Sequence, residues 1–114
     1  MLYYGHLEME SPDCPVAWDR VPKEDFDLVM RGKGVYERLM AYSGRNVHSA
    51  RGAANVILNS AYNFLFTFTD RGEELGREVQ EGGTYRERTR RGIETGIADG
   101  LRALASESGA PAPA

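Results

Sequence analysis

The residues best suited to chemistry in this sequence are two histidines, one cysteine and a short acidic run near the N terminus. His6, Glu8 and Glu10 alternate, so one face of a strand would offer an imidazole and two carboxylates to a metal, a weak signal. His48 lies far from His6 in sequence, and Cys14 has no second cysteine to pair with. Apart from that weak signal, neither His48 nor Cys14 has a partner at the spacing that a metal or nucleophilic site needs.

Other catalytic motifs are also missing from the sequence. The segment 31–34 (RGKG) lacks the frame and the hydroxyl of a phosphate-binding loop. His48 and Ser49 are adjacent, which does not place a base against a nucleophile on a helix. We therefore expect a non-enzymatic protein without catalytic residues, metal or cofactor. An enzyme or ligand binder assembled from scattered residues is the third hypothesis, because motif spacing does not test it.

Composition predicts one globular domain to hold these residues. The chain has 114 residues, of which 41% are hydrophobic and 27% are charged. A single cysteine and the lack of a signal segment predict a protein of the cytoplasm, or of a particle assembled there. Arginine outnumbers lysine twelve to two and there are 13 glycines, a usage typical of a GC-rich bacterial genome.

The hydrophobic pattern predicts a mainly α fold, a small helical domain of three to four helices over residues 1–105. Residues 1–22 form an extended N-terminal arm or short strand, which ends in a loop that tucks Val16 and Trp18 against the core. Residues 23–42 form one helix, or two hinged at 31–34. Residues 106–114 form a flexible Pro/Ala tail.

Two pairs of residues have the spacing of a helix-capping box, in which a hydroxyl or carboxylate cap is followed three residues later by Glu. Asp70 precedes Glu73 in the first pair, and Thr84 precedes Glu87 in the second. The second pair opens a helix over residues 85–105. On that helix we expect Arg90–Glu94 and Glu87–Arg91 to interact at a spacing of four.

The middle of the chain contains the clearest periodicity. Apolar residues recur at alternating spacings of three and four, the seam of a helix packed along its length against another: Val47, Ala50, Ala54, Ile57, Ala61, Phe64 and Phe68. Residues 62–69 also alternate aromatic and β-branched side chains, so a strand is the competing prediction there, with helix favoured. Residues 52–69 carry no charge, but their Asn, Ser and Thr content favours a central buried helix over a membrane span.

Two polar or small-residue stripes are candidate protein interfaces. Gly92, Gly96 and Gly100 lie four apart and line a groove for close helix contact, either within the chain or between copies. The alternative is a glycine-rich, weak helix that reflects codon usage. A second stripe on the central helix has amides that would hydrogen-bond a neighbouring subunit, or else merely face solvent: Asn55, Asn59 and Asn63.

Two basic islands raise the alternative of a nucleic-acid-binding accessory or regulatory protein. The first comprises Arg31, Lys33, Arg38, Arg45 and Arg51, and the second comprises Arg86, Arg88, Arg90 and Arg91. No helix-turn-helix, zinc-finger or RNA-binding motif accompanies them. A solvated, ion-paired helix surface is the favoured interpretation of the second island.

Together these features favour a structural, assembly or adaptor protein that acts through protein–protein contacts and self-associates. The seam, the glycine groove and the segregation of charge along the chain support this hypothesis jointly. A Pro/Ala tail is seldom ordered alone and is held by neighbours in large assemblies, so a bacteriophage virion component is the specific hypothesis within the class. We expect no membrane partner and identify no small-molecule substrate.

Overall fold

The computed structural model describes residues 15–105, and within that range the chain is mainly helical, as the sequence predicts. The predictions for the arm before residue 15 and for the tail, including those on His6, Glu8, Glu10 and Cys14, lie outside the described residues. The elements in chain order are a 3₁₀ turn (Trp18–Arg20), α1 (Lys23–Ala41), α2 (Val47–Phe66), α3 (Glu73–Arg77), β1 (Val79–Gln80), β2 (Gly83–Thr84) and α4 (Tyr85–Ala105).

The long helix α1 is continuous through both of its glycines. Gly32 is buried where α1 meets the other long helices, and a Cβ there would lie 3.3 Å from side-chain atoms of both Ile57 and Ile93. Gly34 is exposed with open space around it. The hinged alternative is therefore wrong, because the close approach at Gly32 is made by an unbroken helix.

Three long helices pack around one core. α2 runs antiparallel to α1, since Met40 contacts Arg51 and Gly32 lies beside Ile57. α4 runs antiparallel to α2, because Gly92 lies beside Ser60 and Gly96 beside Ile57. The N-terminal loop closes one end of the core, where Val16 is buried and Trp18 packs edge-on against Phe26 at 6.0 Å, as the sequence predicts.

α2 ends at Phe66, so the strand alternative for residues 62–69 is wrong. The amides of Thr67, Phe68 and Thr69 each donate to the carbonyl three residues earlier, which tightens the chain into a turn. The hydroxyl of Thr67 donates to the Phe64 carbonyl at 2.6 Å, and that of Thr69 to the Phe66 carbonyl at 2.7 Å. These local bonds compete with helix propagation and end the helix two residues before the apolar seam does.

One of the two predicted capping boxes forms. The Thr84 amide donates to Glu87 at 2.9 Å and the Glu87 amide donates to the Thr84 hydroxyl at 3.1 Å, the reciprocal arrangement that starts α4. Asp70 makes no cap for α3, which instead follows Gly72. The Gly72 amide donates to the Thr69 hydroxyl at 3.0 Å, and its Cα lies so close to the Phe66 carbonyl that a Cβ would overlap it.

A short hairpin that the sequence does not predict connects α3 to α4. Val79 pairs with Thr84 and Gln80 with Gly83. Gly82 and Gly83 have φ angles of 91° and 119°, a backbone region that L side chains rarely adopt. The two glycines therefore form a turn of defined geometry and place Thr84 to begin α4.

Candidate interaction surface

The three glycines of α4 make close helix contacts within the chain. A Cβ at Gly92 would overlap the Ser60 hydroxyl, and one at Gly96 would lie 2.7 Å from Cγ1 of Ile57, both on α2. A Cβ at Gly100 would lie 2.7 Å from Cδ1 of Leu39 on α1. The glycine contact, predicted either within the chain or between copies, therefore lies within the protomer. The chain's own helices cover this groove, so it offers no surface to a partner.

The apolar seam of α2 also packs inside the protomer. Ala50, Ala54, Ile57, Ala61 and Phe64 have no exposed surface, and they lie against α1 and α4. The seam is thus a helix-packing face, as its spacing predicts, and it belongs to the core of this chain.

The opposite side of α2 is exposed over most of its length. Its residues recur at spacings of four, three, four, three and four, and we call this set the outer face: His48, Gly52, Asn55, Asn59, Tyr62 and Phe66. All are exposed except Phe66, which is half-buried, and Tyr62 keeps 47% of its surface. A Cβ at Gly52 would meet nothing within 4 Å.

The Asn stripe lies partly on this outer face. Asn55 and Asn59 are exposed, and neither side chain hydrogen-bonds to another described residue. Asn63 is half-buried and turns toward α4, where with Asn59 it borders a small groove that reaches Arg88. Asn55 and Asn59 are therefore neighbouring surface amides, and Asn63 lies at the edge of the outer face, next to α4.

The outer face differs from the rest of the surface in its charge. No charged residue occurs from 52 to 69, so the outer face is neutral from Gly52 to its end. The exposed surfaces of the two other long helices do carry charges, namely Glu24, Asp27, Arg31, Glu37 and Arg38 on α1 and Glu87, Arg88, Arg91, Glu94, Asp99 and Arg102 on α4. The neutral stretch is bounded by Arg51 before it and Asp70 after it.

A shallow groove joins the outer face where α2 meets the C-terminal half of α4. Its volume is about 590 Å³, and it is lined by Gly52, Ala53 and Val56 from α2 and by Asp99 and Arg102 from α4, among others. Val56 keeps 40% of its surface, and Arg102 donates to Asp99 at 2.8 Å across its rim. The groove therefore extends the neutral surface from α2 towards α4, where it ends at the Arg102–Asp99 ion pair.

Arg86, the first residue of the second basic island, acts within the fold. Its Nε donates to the Thr67 hydroxyl at 2.9 Å, its guanidinium also donates to the Thr67 carbonyl, and it lies 4.0 Å from the centre of the Phe68 ring. Burial lowers the pKa of Arg86, although arginine stays protonated at any physiological pH. Arg86 ties the end of α2 to the start of α4.

The other arginines of this island point to separate partners. Arg88 donates to Gln80 at 2.5 Å, Arg90 donates to Asp25 at 2.7 Å, and Arg91 donates to the Gly82 carbonyl. The hydrogen bond with Asp25 raises the pKa of Arg90, which also approaches Glu94 to 3.7 Å at the predicted spacing of four. The four arginines do not form one phosphate-facing surface, so this island adds no support to the nucleic-acid alternative.

The described residues bring together no constellation of catalytic side chains. His48 is exposed in the first turn of α2, and no group of three His, Cys, Asp or Glu residues placed to hold a metal occurs between residues 15 and 105. None of the helices described is long and apolar enough to cross a membrane. Comparisons with protein-family models, curated proteins and solved structures found no match to this chain.

Proposed function

We propose that this protein is a non-enzymatic assembly or adaptor protein that acts through protein–protein contacts and self-associates, with the outer face of α2 as its contact surface. The observation that carries the proposal is the neutrality of that exposed face. Solvent-exposed helix faces in this chain are otherwise charged. A row of about fifteen residues without charge is the composition expected of a surface that another protein covers.

The side chains of the outer face suit protein recognition. Tyr62 supplies a large ring with few rotatable bonds and a hydroxyl, and tyrosine is enriched at protein interfaces. Asn55 and Asn59 each present one acceptor oxygen and two donor hydrogens, so their amides can bond a partner's backbone or side chains. Because no described residue bonds these amides, they are available to a partner without breaking the fold.

Within this class we propose a component of a bacteriophage virion, made in the cytoplasm and incorporated into a particle there. A small helical domain with a neutral contact face and a Pro/Ala tail suits a subunit held among many neighbours. The arginine-rich composition is consistent with a bacterial host of high GC content.

Light scattering on the full chain tests the proposal. Asn55→Lys together with Asn59→Lys places two charges in the outer face, where their burial in a contact is costly. We expect the wild type to form a dimer or larger species and the double variant to fall to the monomer mass, with the free energy of unfolding of the dilute monomer unchanged. Ala98→Lys together with Thr95→Lys adds the same charges to exposed positions on α4 and should leave the mass unchanged.

A wild-type chain that stays monomeric at every concentration would contradict self-association. A mass that both double variants lower equally would show that net charge, rather than the outer face, governs association.

A further inference from the structure

We propose that the partner of the outer face is the outer face of a second copy, and that the two α2 helices pair antiparallel about a two-fold axis. This inference rests on the proposed function and names its partner. The alternating spacings of four and three along the outer face are those of a coiled-coil seam, which repeats about every 3.5 residues. α2 thus carries such a seam on both sides, and among residues 15–105 only the inner one is covered.

One antiparallel register aligns every residue of the outer face with a complementary residue. When Asn55 lies opposite the partner's Asn59, symmetry places Asn59 opposite the partner's Asn55. Gly52 then lies opposite the partner's Tyr62, and His48 opposite the partner's Phe66. A two-fold axis passes between the two Asn pairs, on the outer side of α2 at the height of residue 57.

Shape favours this register. Gly52 leaves a gap in the surface of α2, since a Cβ there would meet nothing within 4 Å. Tyr62 is the largest exposed side chain of the outer face, with 47% of its surface accessible. A large side chain entering the gap above a glycine is the knob-into-hole contact on which helix pairing depends.

The polar groups favour a symmetric pair. Near a two-fold axis a residue faces the same surface of its partner, so a charged residue there would meet its own charge. Asn avoids this conflict because its amide both donates and accepts, and Asn55 and Asn59 can therefore bond each other across the axis. The absence of charge from Gly52 to Phe66 is what a symmetric contact requires.

The charges beyond the ends of α2 select the antiparallel direction. The same register places Arg45 opposite the partner's Thr69, one residue from the partner's Asp70, at both ends of the contact. Both charged residues are exposed, and neither has an ion-pair partner among residues 15–105. A parallel pair would instead place Arg45 beside Arg45 and Tyr62 beside Tyr62, and it would leave two glycine gaps facing each other.

Disulfide trapping on the full chain tests the register. In a Cys14→Ser background, Gly52→Cys and Tyr62→Cys are prepared as separate proteins. In the antiparallel pair residues 52 and 62 are opposite each other, whereas 52 and 52, or 62 and 62, are about 15 Å apart along the axis. A disulfide needs Cα atoms within about 7 Å. We therefore expect mild oxidation to link the two proteins when mixed and neither protein when alone.

The outcomes separate this inference from the proposed function. Linking within each separate protein, or no linking in a mixture whose mass still depends on Asn55 and Asn59, overturns the antiparallel register and leaves the outer face as the contact surface. No linking together with a mass insensitive to the Asn55 and Asn59 substitutions overturns both.

Exchanging the charges of Arg45 and Asp70 gives a second test, read as the dissociation constant of the dimer, without changing residues at the centre of the contact. Asp70→Arg should weaken dimer formation by about two- to tenfold, because two exposed ion pairs of modest strength are lost. Adding Arg45→Asp should restore the wild-type dissociation constant. A double variant weaker than the single variant would contradict the pairing of these residues.

Discussion

The inner and outer sides of α2 have the same alternating residue spacing but differ in burial and in the polarity of their side chains. On the inner side Ala50, Ala54 and Ile57 have no accessible surface and are packed by α1 and α4. On the outer side Asn55, Asn59 and Tyr62 are exposed. Both rows alternate steps of three and four residues. The alternating spacing therefore shows which residues share a face of the helix. The polarity of those side chains determines which face the protomer buries.

The two sides also contribute to different free energies, the inner side to folding of the monomer and the outer side to the proposed association. Burying a large apolar side chain stabilises a fold by about 1.5–3 kcal/mol, so the inner side determines whether the monomer folds. Exposed residues away from special features change stability by about 0.5 kcal/mol or less. Substitutions on the inner side should therefore change the free energy of unfolding, and those on the outer side should change association.

The largest expected effect comes from filling the tight contact at Gly96. Gly96→Leu should lower the free energy of unfolding by about 1–3 kcal/mol, because a Cβ there already lies 2.7 Å from Ile57 and 3.1 Å from its backbone nitrogen. Gly52→Leu is the matched control on the outer side and should stabilise the monomer by up to about 1 kcal/mol, since it adds helix propensity in open space.

Chemical denaturation of dilute monomer measures both variants. If Gly96→Leu were as stable as the wild type, or if both substitutions changed stability by the same amount, the two sides of α2 would not differ as described.

A second effect concerns the end of the inner side, where Arg86 bonds Thr67 and covers Phe68. Arg86→Met keeps an apolar stem but leaves the Thr67 carbonyl without this donor, so we expect a loss of about 1–3 kcal/mol. Arg88→Met, which removes only an exposed bond to Gln80, should cost less than about 1 kcal/mol. Thermal melting distinguishes them, and equal losses would refute a special role for Arg86.

The smallest effect is a pH dependence at the start of α4, the helix that covers the inner side. Hydrogen bonds from the Thr84 amide and hydroxyl lower the pKa of Glu87 below its ordinary value. Its contribution to stability is thus complete above the unfolded-state pKa, about 4.3, and is lost as pH falls through the lower folded-state pKa. Glu87→Gln keeps the cap without titrating, so its melting temperature should fall less than that of the wild type on acidification.

Local signals in the sequence predicted much of the fold. The Thr84–Glu87 capping box and the Arg90–Glu94 pair depend only on residues three or four apart, and both form. The continuity of α1 could not be predicted, because it depends on Ile57 and Ile93 approaching Gly32 from other helices. The end of α2 depends on threonine hydroxyls that compete for its carbonyls, which periodicity alone does not register.

The residues of the proposed contact surface were predictable only in part. Asn55 and Asn59 stood out as a polar stripe, whereas Gly52 and Tyr62 did not, because they differ in chemistry and only their shared spacing connects them. The signal that would have found them is a second row of alternating threes and fours in a stretch without charge. Whether Gly92 and Gly96 faced the core or a partner required the position of α2, which no local pattern contains.

The turn at Gly72 limits how far the exposed surface of α2 extends along the chain. Because a Cβ at this position would overlap the Phe66 carbonyl, only glycine lets the chain fold back against the last turn of α2 once the bonds of Thr67 and Thr69 have ended the helix. From His48 to Phe66 the helix then measures about 27 Å. Gly72 lies outside the outer face, yet the fold-back that it permits keeps the proposed contact within this length.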